Sequence, residues 1–143
     1  GIKVEADSII QGNIIDGATT GIVAGYGKFV RNVSIDGNII QDTNARRKKK
    51  LRHGILISND PEAGKVFVTN NRIFDFRGKA IYGHNRGQPG PLGRNVYFAN
   101  NYPGVASGDL PARALGGSVI YEPDTGKQKW FSTSPRNPGW REM

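Results

Sequence analysis

Two histidines and one tyrosine are the side chains in this sequence best suited to moving a proton. They occur in the runs Arg52-His53-Gly54 and Tyr82-Gly83-His84. A histidine can act as a general base near neutral pH, and a tyrosine can return the proton as an acid. We therefore predict His53, His84 and Tyr82 as catalytic residues. The alternative is that both histidines are ordinary surface residues.

Basic residues near these side chains could pair with the carboxylates of a substrate. Six of them form one dense run, and removing those six charges from the net charge of +8 would leave +2. The run is either a solvated turn or a contact for an acidic polymer. Nucleic acid is disfavoured because no recognition helix or aromatic platform accompanies the run. The predicted substrate-binding residues are Arg46, Arg47, Lys48, Lys49, Lys50, Arg52, Arg86 and Arg94.

Three aspartates, Asp16, Asp42 and Asp75, follow a recurring asparagine by 3, 4 and 4 residues. If they share one side of the fold, their carboxylates repel each other unless they bind a cation or hold a proton. On this basis Asp42 and Asp75 are predicted ligands of a Ca2+ ion. The alternative is that they are turn residues whose carboxylates cap local N–H groups.

The recurring asparagines reveal an internal repeat. Asn13, Asn38, Asn71 and Asn101 are 25, 33 and 30 residues apart, and each ends a run of alternating apolar and polar residues. Such a strand buries alternate side chains but cannot close a core alone, so equivalent strands are expected to stack in parallel. Stacked asparagines can then hydrogen-bond to one another as a ladder. The predicted core residues are Ile10, Val33, Ile35, Val66, Val68, Val96 and Phe98.

A second strand motif follows the first three asparagines after 8, 16 and 9 residues, and the longest interval contains the basic run. The repeat predicts an all-β fold, a right-handed parallel β-helix of about three to four coils over residues 1–103. Residues 104–143 are predicted to form an irregular cap with one hairpin, covered by Trp130 and Trp140. The first residues already have a strand pattern, so we expect a longer parent chain with further coils.

The motifs V-x-I-x-G-N-x-I and G-I-x-I resemble those of the right-handed parallel β-helix family of pectate lyases, polygalacturonases, alginate epimerases and phage tailspikes. The resemblance covers about residues 2–101. Residues 25–33 and 80–81 resemble, more weakly, an uncharacterised family of twin-arginine-exported repeat proteins. The Asn-Thr-Asp, Asp-Asp, Gly-His-Gly and Arg-Ile-Lys motifs of polygalacturonases do not occur here, which puts hydrolysis by that route in doubt.

The resemblance implies a module that binds an anionic polysaccharide, and whether it also lyses or epimerises the polymer is left open; in that reaction a histidine would remove the C5 proton of a uronate. The alternative is a non-catalytic structural or receptor-binding spike or adhesin, tailspike-like and assembled as a homotrimer. Both functions imply an extracellular, periplasmic or virion-surface location. The sequence has no cysteine, which excludes thiol nucleophiles and Cys-ligated zinc. No apolar run approaches the roughly 20 residues of a membrane span.

Overall fold

The computed structural model describes residues 1–44, 51–105, 108, 110, 116–122 and 124–143. These residues are almost entirely in strands and turns, with one short 3-10 helix at Gly27–Phe29. No helix in this part of the chain has the length and apolar character that crossing a membrane requires. The strands are β1 (Ile2–Val4), β2 (Ala6–Gln11), β3 (Ile14–Asp16), β4 (Thr20–Ala24), β5 (Arg31–Asp36), β6 (Ile39–Gln41), β7 (His53–Ser58), β8 (Val66–Thr69), β9 (Arg72–Ile73), β10 (Ile81–Asn85), β11 (Gln88–Gly90), β12 (Val96–Ala99), β13 (Val119–Glu122), β14 (Lys127–Ser132) and β15 (Gly139–Glu142).

The repeated segments pair strand with equivalent strand in parallel. One sheet has the order β2-β5-β8-β12 and a smaller one the order β3-β6-β9. A third sheet contains β1, β4, β7 and β10 in parallel and ends with β11. In the β2-β5-β8-β12 sheet, the register aligns Ile10, Ile35, Val68 and Phe98. All seven predicted core residues are buried, which confirms the alternation of apolar residues inferred for these strands.

The four repeated asparagines lie next to one another, as the repeat predicted. Asn13 donates to Asn38 Oδ1, Asn38 to Asn71 Oδ1, and Asn71 to Asn101 Oδ1, each through both its backbone N–H and its Nδ2. The donor–acceptor distances are 3.0 to 3.1 Å. Asn38 and Asn71 are completely buried. The ladder therefore satisfies buried backbone groups at the corner where the chain leaves the β2-β5-β8-β12 sheet.

The predicted fold class, a right-handed parallel β-helix with an irregular hairpin cap, is wrong. The described residues form four sheets in which parallel and antiparallel pairs are mixed. After β10 the chain reverses and pairs β11 antiparallel to it. The reversal occurs because Arg86 and Gly87 both have positive φ, at 49° and 84°, as a two-residue hairpin turn requires. The C-terminal residues form a regular antiparallel sheet, β13-β14-β15, in place of the predicted cap.

This C-terminal sheet packs against the last parallel strands. Ile120 is 4% exposed and belongs to the same core cluster as Phe98. The Ser118 hydroxyl accepts the backbone N–H of Phe98 at 3.3 Å. Trp140 packs on the core and edge-on against Phe131, with ring centroids 5.2 Å apart. Trp130 is 41% exposed, so of the two tryptophans only Trp140 covers the core as predicted.

Candidate functional site

The outer face of β1, β4, β7 and β10 carries two of the three predicted catalytic residues. The strand register aligns Lys3, Val23, Leu56 and Tyr82 in one row across these four strands. All four side chains keep some exposure, whereas the isoleucines that precede the last three are buried. Because side chains alternate across a strand, the row points away from the core. We refer to this surface as the outer face.

His53, Lys79 and Tyr82 form a cluster on the outer face. The rings of His53 and Tyr82 are stacked, with centroids 5.9 Å apart and planes inclined by 28°. The Lys79 ammonium lies 4.6 Å from the centroid of the Tyr82 ring, within the range of a cation–π interaction. The structure thus brings together two predicted catalytic residues and adds a lysine that had not been predicted to belong to a site.

One hydrogen bond determines what the His53 imidazole can do. Its Nδ1 accepts the backbone N–H of Lys79 at 3.1 Å. A ring nitrogen that accepts a hydrogen bond carries no proton, so this contact assigns the proton of the neutral ring to Nε2. In this state His53 offers a ligand a hydrogen-bond donor, whereas a general base needs a free nitrogen lone pair.

His84 lies on the same strand as Tyr82, two residues further along, but only 3% of it is exposed. Its Nδ1 accepts the backbone N–H of Gly87 at 3.2 Å, which again assigns the proton of the neutral ring to Nε2. The buried Nε2 has no hydrogen-bond partner among the described residues. Burial lowers the pKa of His84 below its ordinary value; the nearby Gly25 backbone opposes this shift, and the charge of Lys3 adds to it.

The burial of His84 predicts that the protein loses stability in mild acid. In the unfolded chain the imidazole binds a proton near pH 6.5, whereas the folded protein keeps it neutral to lower pH because its pKa is lowered. The contribution of His84 to the free energy of unfolding should therefore be complete above about pH 6.5 and decrease as the pH falls below it. Urea unfolding at a series of pH values measures this decrease. His84→Gln should remove that part of the pH dependence and His53→Gln should not; equal pH dependence in all three proteins would contradict the prediction.

Ser58 fastens the loop after β4 beside His84. Ser58 is fully buried and is aligned with His84 in the strand register. Its hydroxyl donates to the carbonyl of Gly27 at 2.6 Å. A Cβ at Gly27 would lie 3.4 Å from Arg86 Nε and 4.0 Å from Asp60 Oδ2. The loops that follow β4, β7 and β10 therefore meet at this end of the outer face.

A cleft of about 300 Å³ lies beside the loop after β7. Its walls are the loop after β7, residues 59–63, and the segment that leads into β12, residues 92–95. Asp60 and Arg94 give it opposite charges, and the Leu92 side chain supplies a buried apolar surface. The side chains of Asn59 and Asn95 complete the lining. We refer to this site as the loop cleft.

The predicted substrate-binding residues are only partly described by the structure. Arg52 is exposed directly before β7, Arg86 is exposed in the turn between β10 and β11, and Arg94 lines the loop cleft. Arg86 and Arg94 thus both lie close to Asp60, at the same end of the outer face. The residues outside the described part of the chain are Arg46, Arg47, Lys48, Lys49 and Lys50.

The aspartates predicted to bind calcium have different surroundings. Asp42 is 4% exposed and its carboxylate accepts the backbone N–H groups of Asn44 and Leu51, both at 3.4 Å. Asp75 is exposed, in a left-handed backbone conformation with φ of 60°. Within the described ranges, no three His, Cys, Asp or Glu side chains come together in a way that could hold a metal ion. The Ca2+ prediction gains no support from these positions.

Asp16, the third aspartate of the series, binds the next repeat segment. It accepts hydrogen bonds from the side chain and backbone of Thr43 and from Gln41 Nε2. These bonds lower the pKa of Asp16, with the Thr43 hydroxyl making the largest contribution. The carboxylate therefore acts here as a cap for neighbouring donors, as the alternative interpretation of these aspartates expected.

No family model, curated protein or solved structure matches this chain. The chemistry of the site must therefore be inferred from its own residues, three of which, Lys3, Lys79 and Asp60, were not predicted from the sequence. Lys79 directly precedes one copy of the second strand motif, and His53 directly precedes another. Aligning these two copies would have placed Lys79 beside His53. Lys3 and Asp60 carry no comparable signal, because their places in the site depend on the strand register and on loop geometry.

Proposed function

We propose that this chain binds an anionic polysaccharide along the outer face. The observation that carries the proposal is the cluster of His53, Lys79 and Tyr82, in which an imidazole donor and a cation lie against one phenol ring. A lysine ammonium and an imidazole N–H both donate to carboxylates, and a tyrosine hydroxyl can donate to or accept from sugar hydroxyls. These are the groups that an acidic sugar requires.

A second cation–aromatic pair favours an extended ligand. The Lys3 ammonium lies 5.5 Å from the centroid of the Tyr26 ring, on the β1 side of the outer face. Three strand spacings separate β1 from β10, a distance of roughly 14 Å. Two cationic positions this far apart can engage carboxylates on different sugars of one chain, and a polymer that contacts both gains affinity over a monosaccharide that contacts one.

Binding without chemistry is the function that the imidazole geometry supports best. A lyase or epimerase that used a histidine as its base, as the sequence predicted, would need a free ring nitrogen facing the uronate C5. Here the Nδ1 atoms of His53 and His84 both accept backbone hydrogen bonds, and His84 is buried. A carbohydrate-binding spike or adhesin at the cell or virion surface would need no more than the outer face provides. Incubation with polygalacturonate or alginate should therefore give no unsaturated product absorbing in the ultraviolet.

The binding proposal predicts a specific loss of affinity in Lys79→Gln. This substitution removes one partly exposed charge contact worth about 1 kcal/mol, which is about a fivefold increase in Kd for polygalacturonate or alginate. Affinity should fall as salt is raised, and the neutral polymer dextran should not bind. Isothermal titration calorimetry at two salt concentrations measures both effects.

Lys65→Gln is the matched control, because Lys65 is an exposed lysine directly before β8, in a different sheet. It makes the same change in net charge away from the outer face. If both variants lost the same affinity, binding would follow net charge alone. If dextran bound as strongly as alginate, the ligand would not need to be anionic. Either result would overturn the proposal.

A further inference from the structure

The walls of the loop cleft are held in place by two asparagine side chains. Asn59 Nδ2 donates to the carbonyl of Pro91 at 2.7 Å, which ties the loop after β7 to the segment before β12. Asn95 is 8% exposed, and its Nδ2 donates to the carbonyl of Gly64 at 2.8 Å. Each amide uses its donor to bind the protein backbone. The Oδ1 atom of each is then the acceptor available to a ligand.

Asp60 adds a carboxylate to these acceptors. Its Oδ1 accepts the backbone N–H of Glu62 at 2.9 Å, which fixes the side chain in its own turn. Its Oδ2 is the oxygen that lies near Gly27, at the end of the outer face. A lining with several acceptors suits the hydroxyl groups of a sugar, since each hydroxyl is a donor.

Arg94 and Leu92 complete the chemical requirements for one kind of ligand. The guanidinium of Arg94 is matched to a carboxylate, with which it can form two parallel hydrogen bonds. Pro61 and Ala63 share the lining of the cleft with Leu92, which is itself 4% exposed, so part of the lining is apolar. An apolar wall suits the C–H face of a pyranose ring, and a volume of about 300 Å³ is at the lower end for small-molecule sites. The cleft therefore fits one sugar ring better than a chain.

We propose that the loop cleft binds a single uronic acid residue, with its carboxylate on Arg94, its hydroxyls on Asp60, Asn59 and Asn95, and its ring against the apolar lining that Pro61 and Ala63 share with Leu92. This inference rests on the proposed binding of an anionic polysaccharide, because it treats the cleft as the end position of the outer face. Asp60 connects the two surfaces, since it lines the cleft and its Oδ2 lies near Gly27 beside Arg86. A sugar chain that continued from the outer face past Asp60 would place its terminal sugar there.

The test uses amide NMR of the isotope-labelled full chain, titrated separately with galacturonate, glucuronate and mannuronate. We expect at least one uronate to shift amides in residues 59–63 and 92–95, and to bind about tenfold more tightly than its neutral counterpart, galactose, glucose or mannose. Arg94→Gln should remove that tenfold difference and leave the neutral sugar unaffected. Asp60→Asn should weaken the binding of both the uronate and its neutral counterpart. Arg136→Gln, at an exposed arginine of the C-terminal region, is the matched control and should change neither affinity.

The outcomes separate this inference from the proposed function. If no uronate shifts these amides, or if Arg94→Gln binds uronate as well as the native chain does, the cleft assignment is overturned. The proposal that the outer face binds a polysaccharide would still stand if Lys79→Gln weakened polygalacturonate or alginate binding. If instead a uronate bound the cleft in an Arg94-dependent way while neither polymer bound the chain, the polysaccharide proposal would fail and the cleft would remain a monosaccharide site.

Discussion

Replacing Asn71 with alanine should lower the free energy of unfolding by about 4 kcal/mol. Asn71 is completely buried and uses both ends of its amide. Its Oδ1 accepts the backbone N–H and the Nδ2 of Asn38, and its Nδ2 donates to the Ile35 carbonyl and to Asn101 Oδ1, at 2.9 to 3.0 Å. The alanine variant loses all four of these hydrogen bonds, each worth about 1 kcal/mol, and leaves the buried backbone N–H of Asn38 without its acceptor. Urea denaturation followed by far-ultraviolet circular dichroism measures the difference.

Asn137→Ala provides the matched control for the ladder. Asn137 is exposed, and its backbone N–H, which alanine retains, donates a hydrogen bond to the Ser134 carbonyl. Its replacement should change the free energy of unfolding by less than about 0.5 kcal/mol. If Asn71→Ala lowered the free energy of unfolding as little as this control, the asparagine ladder would be a consequence of strand stacking and would not stabilise the stacked strands.

The asparagine repeat is the part of this sequence that predicts structure most directly. Asn13, Asn38, Asn71 and Asn101 each follow a strand that buries alternate residues, so their spacing specified which strands are equivalent before any contact was known. The hydrogen bonds between them confirm that alignment. Parallel pairing between equivalent strands follows from the same spacing, since strands that run in the same direction need a long connection between them.

The antiparallel pairings of β10 with β11 and of β14 with β15 were not predictable in the same way, and they are why the predicted fold class was wrong. The pairing of β13 with β14 lies where the sequence predicted a hairpin. A hairpin depends on one or two turn residues, and the turn between β10 and β11 consists of Arg86 and Gly87, which is not a common hairpin pair. The pairing of β14 with β15 is also hidden, because residues 133–138 contain two prolines and read as an irregular segment. In both places backbone geometry determines the pairing, and the repeat carries no information about it.

The sequence predicted site residues whose positions follow from the repeat. It did not predict those whose positions depend on how the loops pack. β7 and β10 are neighbouring strands whose register pairs Ile55 with Ile81, so His53 and Tyr82 lie on adjacent strands close to this pair, and their proximity follows from strand alignment. His84 was expected to act in catalysis or lie on the surface, but the loop after β4 comes close to it and Ser58 fastens that loop through Gly27. The sequence contains no pattern for such a contact, which depends on how three successive loops pack together.

Replacing Lys129 with methionine should lower the free energy of unfolding by about 3 to 5 kcal/mol. The Glu122 side chain is completely buried, and the Lys129 ammonium lies 3.0 Å from its Oε1, with 22% of the lysine side chain exposed. In the variant the carboxylate stays buried and keeps one recorded hydrogen bond, from the Thr125 hydroxyl. A buried carboxylate without its cation is far more costly than a buried pair. Urea denaturation of the variant at neutral pH measures the loss.

A second substitution separates loss of the charge pair from loss of packing. In the double variant Glu122→Gln with Lys129→Met, the buried group is neutral, so most of the lost stability should return. Lys127→Met is the matched control, because Lys127 pairs with Glu142 on the surface, where both side chains are more than half exposed. Since solvent screens this pair, the control should lower the free energy of unfolding far less than Lys129→Met does. If the double variant were as unstable as Lys129→Met alone, the uncompensated charge of Glu122 would not account for the loss. The C-terminal sheet would then be held by packing around β14, and the buried charge would have no part in it.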